Sequence, residues 1–284
     1  MFINCFLFLN TNAEFSLSIL VFPLLLILFF FAAWVYFFYF TQESKSKRKI
    51  RPRKYSDAQS SAALLKYFPY YLNLDAENRL RFLSRLAAFM QLKEFIPRQT
   101  APNETLNLLI SATAIQLTYG LDDFSLHSFD KILIYPDTYY SEIRNTHHKG
   151  EVNVPLRLIV LAAKHFLSGV RDPNDGINLG LHEMAHALNV HTFEDGSRQN
   201  KKSFIDWSNE ALPEMESIKA NKQHFLRQYA ATNIEEMFAV CTENFFERPE
   251  LFSVELPILY QKLMTLFHQD PRNHSRPIPE SIKY

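Results

Sequence analysis

Hydrophobic and polar positions divide the chain into two stretches of opposite character. From Phe15 to Phe40 the run "FSLSILVFPLLLILFFFAAWVYFFYF" holds no charged residue and shows no polar face. At about 1.5 Å of rise per residue it exceeds the roughly 20 residues that cross a bilayer core. A transmembrane helix is therefore expected over residues 15–41, after a short N-terminal segment, 1–14. Trp34, Tyr36 and Tyr39 near its end suit a membrane interface. Farther along, apolar residues recur at helical or strand-like spacing instead. "DAENRLRFLSRLAAFMQLKEF", Asp75 to Phe95, sets Leu80, Leu83, Leu86, Ala87 and Met90 near helical spacing and predicts an amphipathic helix. A second helix is expected after Pro102, stopping at Gly120. "KILIYPDTYY" and "LRLIVLAA" (Leu156 to Ala163) read as strands, the first ending near Pro136. "RDPNDG" is a turn cluster, and the tail from Glu210 onward is mostly helical by pattern. Together these elements predict an α+β domain, many helices on a small sheet, over residues 61–284 behind a linker, 42–60.

Charge changes this picture at one point. No Lys or Arg precedes Lys45, and "KSKRKIRPRK" (45–54) follows the apolar run almost at once. A cleaved signal peptide would have a basic start and an apolar region of about 7–15 residues, so an anchor is the better reading. The positive-inside rule then places the N-terminus outside and the body in the cytoplasm, giving a single-pass membrane protein. The basic run is expected to be a solvated linker beside anionic lipid heads. Lys and Arg number 30 against 30 Asp and Glu, so no global field favours a polyanion, and no nucleic-acid partner is expected. Cys5 and Cys241 form no disulfide framework or CxxC metal knuckle, which fits a reducing compartment.

The candidate chemistry sits in "INLGLHEMAHALNVH", Ile177 to His191. It is almost wholly apolar, yet it carries His182, Glu183 and His186, and burying such groups unpaired costs several kcal/mol. Four residues apart on a helix, His182 and His186 project from one face and can bind one metal ion. Glu183 points to the side, where it can reach a water on that ion; this is the geometry of the HExxH motif. Ile177, Leu181, Met184 and Leu188 are expected to face the core. A catalytic zinc takes three protein ligands plus water, so a third is needed. The metzincin pattern would want Gly at 189 and His at 192, but those positions hold Asn189 and Thr192. His191 is out of register and reads as a helix-end histidine near the C-terminal dipole. "TNIEEMFAVCTENFFE", Thr232 to Glu247, offers carboxylates instead. Thr232 and Glu235 have capping-box spacing, which leaves Glu236 free, with Glu243 on the same face; the alternative is that Glu236 itself pairs with Asn233 as a cap. Spacing alone does not choose between them. Glu236, in the first turn, is the expected ligand, and Glu243 is expected to be the acceptor behind a ligand imidazole or the buried partner of a basic group.

These pieces resemble the Mlc titration factor family, gluzincin-type (MtfA-like) zinc metallopeptidases. The matching stretches are "FPYY" with the following helix, "YPDTYY", "RDPNDGINLGLHEMAHAL", "YAATNIEEMFAVCTENFFERPELF" and "LYQKL" through "FHQDP", most of residues 67–272. The resemblance implies a zincin-like fold and one zinc ion held by His182, His186 and Glu236, with Glu183 as base. It also implies that Tyr229 stabilises an oxyanion. It further implies a peptide or protein substrate, aminopeptidase-like activity, and a protein partner, since the family is named for binding a glucose-responsive transcriptional repressor. The rival expectation is a regulatory module of the same fold that sequesters such a regulator. Where the family usually has Asp, this chain has Asn189, which removes a charge three residues past the second histidine.

Overall fold

A computed structural model describes residues 22–35, 56–141, 145–220, 223–273 and 276–277. The chain divides into two units, Met1–Lys49 and Ile50–Tyr284. In the first, residues 22–35 form helix α1, whose Phe, Leu and Ile side chains are exposed along its length. Among the described residues no helix is long and apolar enough to cross a membrane. The described part of α1 would span about 21 Å at helical rise, short of a hydrocarbon core of about 30 Å. The rest of the expected 15–41 span, and most of the basic linker, lie outside the described residues.

The second unit starts earlier than the expected boundary at residue 61. Helix α2 (Asp57–Tyr67) begins inside the expected linker because Ser56 and Gln59 form a capping box that satisfies its first amides. The short α3 (Pro69–Leu72) leads to α4 (Ala76–Leu92), capped by Asp75. The buried face of α4 is Phe82, Leu83, Leu86 and Phe89, whereas Leu80 is exposed. The expected helix through Phe95 ends at Leu92. Lys93 turns inward, and Glu94 to Pro97 form strand β1 beside β2 (Lys131–Tyr135). Helix α5 (Glu104–Thr118), capped by Asn103, is buried on every face from Leu106 onward. Its inward hydroxyls, on Ser111, Thr113 and Thr118, each bond a carbonyl four residues back, so none is stranded in the core.

Strands β3 (Tyr139–Ser141) and β4 (Thr146–His148) form a small hairpin, followed by β5 (Gly150–Asn153) and β6 (Leu158–Ala162). The main sheet runs β1-β2-β6-β5, with the first three strands parallel and β5 antiparallel at the edge. After β6 come α6 (Ala163–Arg171), the RDPNDG turn, and α7 (Leu179–Asp195), the HExxH helix. Then follow α8 (Arg198–Ala220), a 3-10 turn (Gln228–Ala231), α9 (Ile234–Glu247), α10 (Pro249–Glu255) and α11 (Pro257–Phe267). Strands β7 (Gln269–Asp270) and β8 (Arg276–Pro277) close the described chain. Helix α7 packs against α9, α5 and the β5–β6 side of the sheet. Met237 to Phe245 of α9 are buried, and Phe238 meets Phe204, Trp207 and Phe267. The fold is the expected α+β one, mostly helical on a small sheet.

Candidate metal centre

The site is built from the turn that precedes α7. Gly176 adopts φ +75°, a left-handed backbone that favours glycine, and a Cβ there would meet Asn244 Oδ1 at 2.6 Å. Its amide donates to Glu247 Oε2 (3.1 Å), and its carbonyl accepts from Arg227 (3.0 Å). Two residues on, Asn178 caps α7 by accepting from the Leu181 amide at 3.0 Å. Asn178 also donates through its side chain to Glu247 Oε1 (2.8 Å) and through its backbone to Glu243 Oε2 (2.6 Å). Glu243 and Glu247, one turn apart on α9, thus hold the start of the HExxH helix in place.

On α7, the His182 and His186 rings lie edge to face with centroids 4.8 Å apart and their Nε2 atoms 3.2 Å apart. From α9, Glu236 Oε2 comes within 3.0 Å of His182 Nε2 and 3.5 Å of His186 Nε2. That oxygen is buried, yet no hydrogen bond of good geometry reaches it. Metal bonds of about 2.0–2.1 Å in a tetrahedron put neighbouring ligand atoms about 3.4 Å apart. Three donor atoms at that spacing, converging on one point, fit a zinc ion held by His182, His186 and Glu236.

The N-terminus of α9 differs in detail from the expectation. Its cap is Asn233, which accepts from the Glu236 amide at 2.8 Å. Thr232 Oγ1 instead donates to the Tyr229 carbonyl, so the Thr232–Glu235 capping box does not form. Asn233 takes the Glu236 backbone and leaves its carboxylate to the histidines, so Glu236 still lies in the site. Glu243, 1% exposed, lies behind it: His182 Nδ1 donates to its Oε1 at 2.7 Å. Arg227 adds two further bonds to Glu243, at 2.6 and 3.1 Å. With Nδ1 held by Glu243, Nε2 is the His182 nitrogen that faces the metal position and would bind the ion once its proton is displaced.

The charges follow this packing. Burial works against a charged His182, but Glu236 and Glu243 outweigh it and push the imidazole up to about 10. Burial likewise works against an ionised Glu236, and the two imidazoles hold it well below the usual carboxylate range. Glu183 is buried, and desolvation raises its carboxyl, with His182 and His186 pulling the other way. Its neighbour is Gly150, the first residue of β5, where a Cβ would collide with Glu183 Oε1. Tyr229, in the 3-10 turn, is half exposed, with its ring 6.1 Å from that of His182. Burial and then Glu236 push its phenol up to about 12, so it keeps its proton as a donor.

The structure therefore brings His182, Glu183, His186, Tyr229, Glu236 and Glu243 together. Leu181, Met184 and Leu188 are buried as expected, but Ile177 is exposed, because it lies in the turn ahead of α7. His191 lies about one turn before the end of α7 at Asp195, where its carbonyl accepts from the Gly196 amide at 3.1 Å, and its side chain is buried. Asn189 Oδ1 is buried without a hydrogen bond. Cys241 is free and buried, while Cys5 lies outside the described residues. Arg227, Glu247, Asn178 and Gly150 escaped the sequence reading. Of these only Asn178, at the helix start, carried a local signal, and it spoke of backbone shape, not of the site.

Comparison with known proteins matches residues 41–268 to the model of a family described as glucose-regulated metallo-peptidase M90. Mlc titration factor A of Salmonella arizonae is 28% identical over 234 residues, covering 73% of this chain and 90% of that protein. The protein of the same name from Salmonella gallinarum is 28% identical, covering 73% of this chain and 85% of that one. That of Salmonella typhimurium is 27% identical with the same coverage, 73% and 85%. The resemblance to the Mlc titration factor family thus holds over most of the chain.

Proposed function

The chain belongs to the glucose-regulated metallo-peptidase M90 family, and from that premise we propose a zinc-dependent peptidase in which Glu183 is the general base. The observation that carries this reading is the convergence of His182 Nε2, His186 Nε2 and the otherwise unsatisfied Glu236 Oε2 beside a buried glutamate. When bound, the zinc ion supplies Lewis acidity, which acidifies water and polarises a peptide carbonyl. Glu183, made more basic by burial, takes the proton of the attacking water and returns it to the leaving amine. Tyr229, still protonated at neutral pH, donates a hydrogen bond to the oxyanion that develops on the carbonyl. Glu243 and Arg227 keep the His182 ring turned toward the site. Aminopeptidase-like cleavage of small substrates is the mode we assign.

The test is Glu183→Gln, which keeps the size of the side chain and removes the base. Zinc content should stay at the wild-type level, while hydrolysis of aminoacyl and short peptide substrates falls by roughly 10²–10⁴-fold. Near-normal cleavage by this variant would sink the mechanism.

The exposed apolar side chains of α1 and the uncharged run around it favour a membrane anchor, with the catalytic unit cytoplasmic and the N-terminus outside. A second reading, binding of a regulator such as Mlc, is favoured by the name Mlc titration factor A carried by the relatives. If that role exists beside peptidase activity, Glu183→Gln should abolish cleavage and still bind the purified regulator.

A further inference from the structure

His191 points away from the HExxH face. Five residues past His186, it is turned about 140° round the helix, toward the loop between α5 and β2. There its Nε2 lies 3.2 Å from Asp123 Oδ2, and His127 Nδ1 lies 3.2 Å from that same oxygen. The two imidazole rings meet edge to face at 4.3 Å and 84°. One donor atom from each of the three residues falls within 4.8 Å of the other two. The cluster nearly repeats the metric of the first centre, whose rings sit at 4.8 Å and 81°. The two 3.2 Å spacings from Asp123 to the imidazoles are close to the ligand-to-ligand edge of about 3.4 Å in a tetrahedral site.

The surroundings prepare these groups. Asp123 Oδ1 accepts from the Ser125 amide (2.9 Å) and hydroxyl (2.7 Å), which leaves Oδ2 to face the imidazoles. Ser128 Oγ lies 3.3 Å from His191 Nδ1, a partner that can fix which ring nitrogen carries the proton. His191 is 3% exposed, whereas the Asp123 side chain is 47% exposed and leaves a path from solvent. The loop itself is held. Lys93, buried, donates to the carbonyls of Leu126 (2.8 Å) and Phe129, and Arg157 donates to that of His127 (2.5 Å). Leu126, between Asp123 and His127, sits at φ 44°, a left-handed backbone that a branched side chain rarely adopts. Such strain persists where surrounding contacts enforce it, and it clusters at functional sites.

We propose that Asp123, His127 and His191 bind a second divalent transition-metal ion, zinc by the chemistry of a two-imidazole, one-carboxylate set, and that this ion fastens the α5–β2 loop to the HExxH helix. Its fourth position is open to water, and its ligands share nothing with the first centre except α7.

The full-length chain in mild detergent is loaded with zinc and freed of excess, and metal per chain is measured by plasma mass spectrometry and native mass spectrometry. Wild type should carry two ions, and His127→Gln and Asp123→Asn, both on the solvent side of the loop, should carry one. His191→Ala should match them, and His186→Ala should also lose one ion, from the other centre. The double variant His186→Ala/His127→Gln should carry none. One ion in wild type, lost in His186→Ala and kept in His127→Gln, overturns the second site and leaves the first standing. One ion in wild type, lost in His127→Gln and kept in His186→Ala, supports the second site and sinks the first. Loading with cobalt gives a second readout: subtracting the His127→Gln visible spectrum from that of wild type should leave tetrahedral bands from the second site.

Discussion

Glu243→Gln is the perturbation that reaches furthest into this structure. Glu243 is 1% exposed and accepts from His182 Nδ1, the Asn178 amide and both terminal nitrogens of Arg227. All four partners are donors. A glutamine keeps one acceptor oxygen and turns an NH2 group toward donors, so either the His182–Arg227 side or the Asn178–Arg227 side loses its bonds. It also leaves Arg227 without its counter-charge. Breaking a buried ion pair by removing one partner costs about 3–5 kcal/mol. The Arg227 side chain retains 31% exposure, so solvent offsets part of this, and we expect about 3 kcal/mol. Metal affinity should fall by roughly 10–100-fold, because His182 loses the acceptor that orients it. Glu236→Gln, by contrast, should lose most of the zinc. Urea unfolding of the metal-free chain, followed by the fluorescence of Trp207 packed on Phe238, reads the stability, and competition with a zinc chelator reads the affinity. Removing both members of the pair, in Arg227→Met/Glu243→Gln, should cost clearly less than the sum of the two single changes. Additive costs, or a single variant within about 0.5 kcal/mol of wild type, would refute the view that this pair aligns the site.

Three further outcomes are expected. Gly150→Ala should keep the fold and the zinc but displace the Glu183 carboxylate, lowering turnover by roughly 10²-fold, since a misplacement of about 1 Å has that effect; unchanged turnover would show that the base has room to spare. Burial drives the Glu247 carboxyl up from 4.5 to about 8, against the hydrogen bonds from Asn178 and Gly176. The folded state therefore holds that proton more tightly than the unfolded one. The associated stability is complete below pH about 4.5 and is lost as pH rises to about 8. Glu247→Gln should flatten this part of the metal-free stability profile, and superimposable profiles would count against the assignment. A reporter fused after Tyr284 should be active as a cytoplasmic reporter; activity on the outer face instead would reverse the proposed topology.

The parts of the molecule legible in its sequence are those set by local rules. Helical spacing of apolar residues marks α4, the stretch after Pro102 up to Gly120 marks α5, β-branched and aromatic "KILIY" gives β2, and HExxH puts two histidines on one helical face. Glu236 was legible for a reason that proved half right: it lies in the first turn of α9, but Asn233 caps that helix. What could not be read depends on distant partners. Glu94 to Pro97 is too short to outweigh the helical pattern before it, and it becomes a strand only because β2 lies alongside. Nothing in the local pattern around His191 shows that Asp123, 68 residues earlier, folds against its side chain. The chain continues α7 to Asp195 through Thr192 and Phe193, residues of weak helix preference, because the packing of this helix outweighs propensity.

The clamp on the start of α7 has a consequence in time. The bond from Asn178 to Glu243 spans 65 residues, and that from Gly176 to Glu247 spans 71. At about 5–20 residues per second, a ribosome finishes the HExxH segment roughly 3–11 s before it reaches Glu243. During that interval the Gly176 and Asn178 amides and the outer nitrogen of His182 lack their α9 partners, and the third ligand has just been made or is still missing. Closing a loop of that length costs roughly 4 kcal/mol, which must be met by the docking of α9 as a whole. The centre is thus assembled in one late step. A nascent or prematurely terminated chain that stops before Glu236 carries only two of the three ligands of this centre, so it offers no unguarded protease.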